Sequence, residues 1–360
     1  TVSDEAKPVI VSAVTGDANS DGTVDRLTLT FSESVDIADG GTDNDITLAA
    51  STGSASITAG SYGATASTLV YTISGATAGN TSLTIDPTYA VSGAGDITDP
   101  TGNEMANSET VSGSDGAAPI LLSATYKDTN GDGTVNRIDA VYSEDITSST
   151  FESSDWTFPA NPNGLSVGSG AFSGSTVQIT VTGAPANTTV LGTTTVKYTN
   201  QGSSTNSITD GSNSSATSSV ITLSDEAKPV IVSAVTGDNN SDGTVDRLTL
   251  TFSESVVITD GVTDNDITLS ASTGSASITA GSYGATASTL VYTISGATSD
   301  NTSLTITPTY AVGGDGNITD PSGNEMPNNE TVTGTDGAKP AILSAVTGDA
   351  NSDGTVDRLT

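Results

Sequence analysis

Arg26-Leu-Thr-Leu-Thr-Phe-Ser-Glu33 is the stretch of sequence that decides the fold. Its apolar side chains occupy every second position, with Leu27, Leu29 and Phe31 on one face and threonines on the other. Strict alternation of this kind is typical of a β-strand with one buried face. A diverged copy, Arg137-Ile-Asp-Ala-Val-Tyr142, keeps the same alternation with different residues. The segment therefore predicts a strand that recurs at the same place in a repeated unit.

The repeated unit accounts for nearly the whole chain of 360 residues. Residues 3–113 and 224–334 align without a gap at an offset of 221, with 15 differences over 111 positions, and we call them the A repeats. Residues 114–223 form a diverged copy, the B repeat, and residues 335–360 are the start of a further repeat. Residues 1–2 correspond to the tail of a preceding repeat. The order predicts a section of a longer tandem array.

Short strands separated by turn residues fill each repeat. Besides the opening segment, strands are predicted at Pro8–Val14, Asp45–Ala50, Ser54–Ser61, Thr68–Ser74, Ser82–Asp86 and Glu109–Gly113. About seven strands in about 110 residues favour an immunoglobulin-like β-sandwich. Trp156 falls where Ile46 lies in the first repeat, which predicts a core position. The expected fold class is all-β, with tandem immunoglobulin-like β-sandwich domains of about seven strands each, arranged end to end.

The composition excludes several classes of function. Lysine and arginine total 9 against 42 aspartates and glutamates, so the formal charge is −33. So acidic a surface repels nucleic acid and anionic membranes and attracts cations. Without histidine or cysteine, Ser–His and Cys–His nucleophiles and ordinary zinc sites are absent, and no enzyme activity is expected. No apolar run is long enough to insert directly into a membrane.

A loop rich in oxygen ligands lies between the first two predicted strands. In Asp17-Ala-Asn-Ser-Asp-Gly-Thr-Val-Asp25, side-chain oxygens recur at every second residue, and a glycine permits a sharp bend. This is the first part of an EF-hand calcium loop, whose seventh position, here Thr23, contributes its backbone carbonyl. Thr28 stands where the EF-hand has a bidentate glutamate, so the match is incomplete. A solvated turn would favour the same residue types.

The loop recurs in every repeat, which favours calcium, Ca²⁺, as the cofactor. The predicted metal ligands are Asp17, Asn19, Asp21, Thr23 and Asp25; Asp128, Asn130, Asp132, Thr134 and Asn136; Asp238, Asn240, Asp242, Thr244 and Asp246; and Asp349, Asn351, Asp353, Thr355 and Asp357.

Further acidic residues are expected near the boundaries between repeats. Each boundary, which we call a linker, has the pattern Asp-x-Ala-x-Pro, and acids also recur at the end of the second strand and before the last strand. In a sandwich these positions and the calcium loops of the preceding domain lie at the same junction. A second group of ligands is therefore predicted, with solvated loop ends as the open alternative. Its members are Asp4, Glu33, Asp99, Asp115, Glu144, Asp210, Asp225, Glu254, Asp320 and Asp336.

Three segments carry a family resemblance. Asp-Arg-Leu-Thr-Leu-Thr-Phe-Ser-Glu-Ser-Val (25–35), Ser-Thr-Leu-Val-Tyr-Thr-Ile (67–73) and Ile-Thr-Asp-Pro-Thr-Gly-Asn-Glu-Met (97–105) resemble the bacterial immunoglobulin-like repeats of S-layer proteins and large calcium-dependent surface adhesins. The B repeat departs at 208–213, where the Gly-Asn pair is not kept. The resemblance implies an exported, multi-domain, calcium-dependent structural protein at the extracellular cell surface.

Two functions are expected on this basis. In the first, the repeats build an S-layer or extracellular filament, and the partners are copies of the same chain or neighbouring repeats. In the second, they form the extender stalk of a giant adhesin that projects a terminal binding domain. Carbohydrate binding by the sandwich faces is disfavoured, because aromatic residues make up 4% of the chain.

Overall fold

The computed structural model describes residues 3–37, 45–61, 66–91, 96–148, 150–202, 208–258, 266–282, 287–312 and 317–360. Residues 1–2, the expected tail of a preceding repeat, lie outside the described residues. The fold is all-β, and the helical structure of the described residues is one 3₁₀ turn at Ser153–Asp155. None of the described segments forms a helix with the length and apolarity needed to cross a membrane.

The first repeat contains two sheets. Its strands are β1 (Ile10–Gly16), β2 (Arg26–Ile37), β3 (Ile46–Ala50), β4 (Ser56–Ser61), β5 (Ala66–Ser74), β6 (Ile85–Tyr89), β7 (Ile97–Thr98) and β8 (Gly113–Ser114). One sheet has the order β4-β5-β2-β1-β8 with β7 also on β2, and the other pairs β3 with β6. All pairs are antiparallel except β8, which lies parallel to β1.

The second repeat keeps the two-sheet arrangement. Its strands are β9 (Leu121–Lys127), β10 (Arg137–Tyr142), β11 (Trp156–Thr157), β12 (Ser166–Ser173), β13 (Thr176–Thr182), β14 (Thr195–Tyr198), β15 (Ile221–Thr222) and β16 (Ser224–Asp225). The sheets have the orders β12-β13-β10-β9-β16 and β11-β14-β15. Strand β16 pairs in parallel with β9, as β8 does with β1.

The third repeat matches the first. Its strands are β17 (Ile231–Gly237), β18 (Arg247–Ile258), β19 (Ile267–Ala271), β20 (Ser277–Ser282), β21 (Ala287–Ser295), β22 (Ile306–Tyr310) and β23 (Ile318–Thr319). The sheets are β17-β18-β21-β20, with β23 on β18, and β19-β22. In the segment that follows, β24 (Thr347–Gly348) pairs with β25 (Arg358–Leu359), and the side chain of Ile342 is 91% exposed.

The side chains of β2 alternate between buried and half-buried positions, as the sequence pattern predicts. Leu27, Leu29 and Phe31 are at most 3% exposed, while the threonines between them are half-buried. The pairing of β2 with β5 shifts register between Thr30 and Val35. The matching shift in the third repeat lies between Thr251 and Val256. Each irregularity contains the acidic residue predicted at the end of the strand, Glu33 or Glu254.

Three apolar clusters are built from residues 10–117, 121–227 and 231–338, and each draws on both sheets of its repeat. Two sheets around one apolar core are consistent with a β-sandwich. Trp156 is 3% exposed and packs in the second cluster, as predicted, with its ring 5.3 Å from that of Tyr198.

Two predicted strands needed correction, and one strand was missed. The strand expected at Ser82–Asp86 is β6 at Ile85–Tyr89, and the one expected at Glu109–Gly113 is β8 at Gly113–Ser114. Strand β7 was not predicted. Strand β6 contains Pro87, pairs with β3 on one side and forms an isolated antiparallel bridge on the other, between Thr88 and Thr110 of the segment predicted at Glu109–Gly113.

Candidate metal centres at the repeat junctions

The predicted calcium loops, which we call the acidic loops (17–25, 128–136, 238–246 and 349–357), are closed by their own carboxylates. Asp17 accepts hydrogen bonds from the backbone amides of Ser20 and Gly22, each at 2.7 Å. Asp21 accepts from the Thr23 amide at 2.9 Å, and Asp25 accepts from the Ala18 amide at 2.7 Å. The first-position aspartates of the other loops, Asp128, Asp238 and Asp349, accept equivalent bonds.

These bonds explain the local sequence. A short acidic side chain that binds amides three to five residues ahead stabilises a tight turn. Within the part of the chain that the structure describes, no three carboxylates of an acidic loop have oxygens within 4.8 Å of one another. The side chains of Asn19 and Asp21 are joined to each other by a 3.0 Å hydrogen bond. The loop thus presents oxygens along a curved backbone without a preformed carboxylate cluster.

The second group of predicted ligands does converge. Three acidic triads, each with carboxylate oxygens within 4.8 Å of one another, are Asp4–Glu33–Asp99, Asp115–Glu144–Asp210 and Asp225–Glu254–Asp320. Each combines a linker aspartate, a glutamate in or just after the second strand and an aspartate from the loop before the last strand. The glutamate was predicted at the end of that strand, but Glu33 and Glu254 lie at register shifts inside β2 and β18, and Glu144 follows β10. Among the described residues Asp336, the remaining predicted ligand, belongs to no such group.

Local hydrogen bonds hold the members of each triad. The linker aspartate accepts the amide two residues ahead, for example Ala117 to Asp115 at 2.9 Å. Asp99 accepts from the amides of Thr101 and Asn103, each at 2.8 Å. In the B repeat Asn213 donates its backbone amide to Asp210 at 2.6 Å, so the turn persists although the Gly-Asn pair is lost. The sequence departure noted there leaves the aspartate in place.

Burial and mutual repulsion dominate the electrostatics of the glutamates. Burial raises the pKa of Glu144 to about 8; the Thr81 hydroxyl opposes this rise, whereas Asp115 and Asp210 add to it. Burial likewise raises the pKa of Glu254 to about 8, the Thr189 hydroxyl again opposing it. Buried carboxyl groups this close together favour either a bound proton or a bound cation.

The pKa of Asp99 is shifted in the opposite direction to those of the two glutamates. Burial acts to raise its pKa, but the hydrogen bonds donated by Asn103 and Thr101 outweigh burial and hold the pKa at about 2. In the same triad, the pKa of Glu33 is raised by desolvation and by the charges of Asp99 and Asp4. Within this triad the pKa values of Asp99 and Glu33 are therefore shifted in opposite directions.

Two triads are completed by a contact from the preceding repeat, which the sequence reasoning missed. Thr81 donates its hydroxyl to Glu144 at 2.6 Å and lies 2.6 Å from the hydroxyl of Ser143. At the next junction Thr189 donates to Glu254 and lies 3.0 Å from the hydroxyl of Ser253. All these side chains are buried. The threonines carried no recognisable signal, because this chain has many of them.

The acidic loops lie at the same junctions. A Cβ atom placed on Gly22 would lie 2.6 Å from Leu122 of the next repeat, and one on Gly133 would lie 2.9 Å from Val230. At the third loop a Cβ on Gly243 would lie 2.3 Å from Leu343. The loop glycine thus meets an apolar side chain of the following repeat. At the A–B and B–A junctions an acidic loop and a triad therefore lie at the same boundary, whereas Gly354 of the fourth loop has no heavy atom within 4 Å of a placed Cβ.

Comparisons with known proteins add little. No protein-family model matches the sequence, and no curated protein matches it. Among solved structures, the S-layer protein rSbsC(31-844) aligns with 16% identity and a TM-score of 0.25. Domains 1–6 of surface layer protein SbsC align with 15% identity and a TM-score of 0.24. Both alignments cover 99% of this chain and 63% of the other, and such low scores do not establish a shared fold.

Proposed function

We propose that this chain is a structural section of a cell-surface layer or extracellular filament, made of immunoglobulin-like β-sandwich repeats joined end to end. The proposed domains are residues 3–113, 114–223 and 224–334, with 335–360 opening a further one. The observation that carries the proposal is the repeated junction, in which a buried threonine of one repeat binds the serine and glutamate of the next. A flexible string of independent domains would not need such a contact.

Two neighbouring contacts at the junction restrain bending. One is the buried contact of Thr81 with Ser143 and Glu144, and the other is the packing of Leu122 against Gly22. The two contacts are adjacent, because Ser143 binds Thr81 and its Cβ also lies 3.6 Å from a Cβ placed on Gly22, so they form one continuous patch that opposes rotation about the linker. The B–A junction has the same pair of contacts. The proposed consequence is a stiff array suited to a structural role outside the cell.

Calcium is the proposed cofactor of these junctions. A divalent cation would neutralise a triad that otherwise holds three carboxyl groups within 4.8 Å. Hard oxygen ligands from carboxylates and backbone carbonyls are what Ca²⁺ prefers. The acidic loops would supply further oxygens, because a carboxylate that accepts an amide hydrogen bond retains free lone pairs.

Calcium binding is tested by thermal melting and calorimetric titration of the full chain. Calcium is expected to raise the melting temperature and a chelator to lower it. Asp210→Asn removes one triad carboxylate and should reduce the number of bound ions. Asp145→Asn removes the same charge from an exposed neighbour of Glu144 and serves as the matched control. Identical melts with and without calcium would contradict the cofactor.

Self-association distinguishes the surface layer from an adhesin stalk. Purified chain in calcium is expected to form ordered sheets or filaments in electron micrographs. Separate, monodisperse rods at every concentration would contradict the layer and favour the stalk. The calcium measurement does not depend on whether the chain assembles, because calcium binding at a junction requires only one chain.

A further inference from the structure

The residue that follows the linker aspartate differs between repeats. Gly116 follows the first A repeat, Glu226 follows the B repeat, and Gly337 follows the second A repeat. Each linker begins beside the first strand of the repeat that it leaves, through parallel pairing of β8 with β1, of β16 with β9 and of Thr335 with Val235. The differing residue thus lies where a linker docks on its own repeat.

After an A repeat there is no room for a side chain. A Cβ on Gly116 would lie 2.3 Å from Cγ1 of Val14 and 2.7 Å from the carbonyl oxygen of Thr15. A Cβ on Gly337 would lie 2.4 Å from Cγ1 of Val235 and 2.7 Å from the carbonyl oxygen of Thr236. A β-branched side chain has little rotamer freedom, and a backbone oxygen in a sheet cannot move alone. The linker after an A repeat therefore requires glycine.

After the B repeat the same position is occupied and bonded. The amide of Glu226 donates to the carbonyl of Tyr126 at 3.1 Å, and its carboxylate lies 2.8 Å from the ammonium of Lys127. Lys127 also lies 3.0 Å from Asp139, so it bridges two acids. The hydroxyl of Tyr126 donates to Asp225, the linker aspartate. The linker after the B repeat therefore has specific partners on its own repeat.

The first strand of each repeat, on which the linker docks, also differs between the A and B repeats. Thr125-Tyr126-Lys127 of the B repeat replaces Val14-Thr15-Gly16 and Val235-Thr236-Gly237 of the A repeats. Asp139, the second partner of Lys127, stands where the A repeats have Thr28 and Thr249. An A strand therefore offers no space to a glutamate linker, and it has glycine where the B strand has Lys127, with the guanidinium of Arg26 from the neighbouring strand lying against that glycine. A glycine linker would in turn leave Lys127 without its linker carboxylate.

We infer that the residue after the linker aspartate matches each linker to the type of repeat on which it docks: glycine to an A strand, glutamate to a B strand. The A repeats differ at 15 of 111 positions, so a linker strand meets nearly equivalent partners along the array. Exchange of such strands between neighbours is a characteristic failure of repeat proteins. Because A and B alternate here, the neighbouring repeat is the wrong type for each linker. The match therefore directs a linker to its own repeat.

Hydrogen exchange of the full chain, read by mass spectrometry, tests the match. Gly116→Glu should speed exchange in residues 113–117 by about tenfold or more, because overpacking opens the docked strand. Converting the docking site to the B sequence in that background, with Val14→Thr, Thr15→Tyr, Gly16→Lys and Thr28→Asp, should restore slow exchange. The lysine at position 16 would lie against the Arg26 guanidinium, and the aspartate at position 28 would lie between the two cations, as Asp139 does between Lys127 and Arg137. Residues 224–227 should be unaffected in both variants.

Each outcome decides the proposal. Unchanged exchange in Gly116→Glu would overturn the requirement for glycine. If that variant unfolds the first repeat, recovery in the five-substitution variant supports the match, and failure to recover overturns it. Glu226→Gly should speed exchange in 224–227 several-fold. Glu5→Gly is the control, because Glu5 is exposed and has no ion pair within the described residues. Equal effects of these two variants on 224–227 would also overturn it.

Discussion

Thr81 shows how one hydroxyl group joins two repeats. It is fully buried, donates to Glu144 and contacts Ser143, whose own hydroxyl accepts the amide of Ile120. A buried carboxyl group that loses a donor retains the cost of its desolvation. The contribution of the threonine therefore exceeds that of an exposed hydrogen bond.

Replacing Thr81 by valine should destabilise the first junction. Valine keeps the shape but leaves Glu144 without its donor, at a cost of about 1–3 kcal/mol. The measurement is chemical denaturation of the full chain, followed by hydrogen exchange around residues 143–144. Thr81→Ser keeps the hydroxyl and should lie closer to wild type. A valine variant as stable as the serine variant would rule out the role given to the hydroxyl.

Glu144 should make the metal-free junction sensitive to pH. Its pKa is raised from 4.5 to about 8 in the folded chain, so the folded state holds the proton more tightly than the unfolded state. The stabilisation is complete below pH 4.5 and is lost as the pH rises toward about 8. In chelator, melting temperature should therefore fall across this range.

Glu144→Gln removes the titration while keeping an oxygen that can accept from Thr81. The slope of melting temperature against pH should become shallower, and the variant should be more stable than wild type at pH 8 in chelator. Glu254 still titrates at the other junction, so some slope remains. Asp145→Asn, at an exposed position, is the control. A slope equal to that of wild type would exclude Glu144 as the titrating group.

At the scale of elements, the acidic loop serves both its own turn and the next repeat. Gly22 has a φ of +86° and contacts Leu122, so both the backbone conformation and the contact with the next repeat favour glycine at this position. The sequence predicted the glycine from the bend alone. The contact with the neighbour could not be read from the loop, because Leu122 lies 100 residues further along the chain.

Comparing Gly22→Ala with Gly102→Ala separates the cost of the positive φ from the cost of the contact with Leu122. Gly102 has a φ of +94° with no heavy atom within 4 Å of a placed Cβ, so its substitution costs backbone strain of about 1–2 kcal/mol. Gly22→Ala should cost more, and Leu122→Ala should recover the excess. Chemical denaturation would measure the free energy of unfolding of four proteins. They are the wild type, Gly22→Ala, Gly102→Ala and the double variant that combines Gly22→Ala with Leu122→Ala. Equal costs at the two glycines would show that the contact with Leu122 contributes nothing.

The strands and triads show what the sequence can predict. The alternation through Leu27, Leu29 and Phe31 predicted a half-buried strand because period two follows directly from backbone geometry. The grouping of Asp4, Glu33 and Asp99 followed from the expectation that strand ends and linkers meet at one end of a sandwich, although Glu33 lies at a register shift inside β2. Thr81 and Thr189 were not, because a junction contact depends on the relative orientation of two repeats.

At the scale of the whole molecule, the formal charge of −33 has to be accommodated. Most of the predicted ligands in the acidic loops and triads are carboxylates, which would repel one another without cations. Repulsion between the carboxylates along the array favours an extended chain. Calcium bound at each junction would make that extended chain stiff. Lateral association would also require neutralisation of this charge.

Small-angle scattering of the full chain in calcium and in chelator, at matched ionic strength, tests calcium-stiffened junctions most directly. In calcium, the maximum dimension should be larger and the distance distribution should be that of a straight rod. In chelator, the distribution should broaden toward bent chains while each repeat stays folded by circular dichroism. Indistinguishable scattering curves, with calcium binding verified by calorimetry in the same sample, would contradict stiffening by calcium.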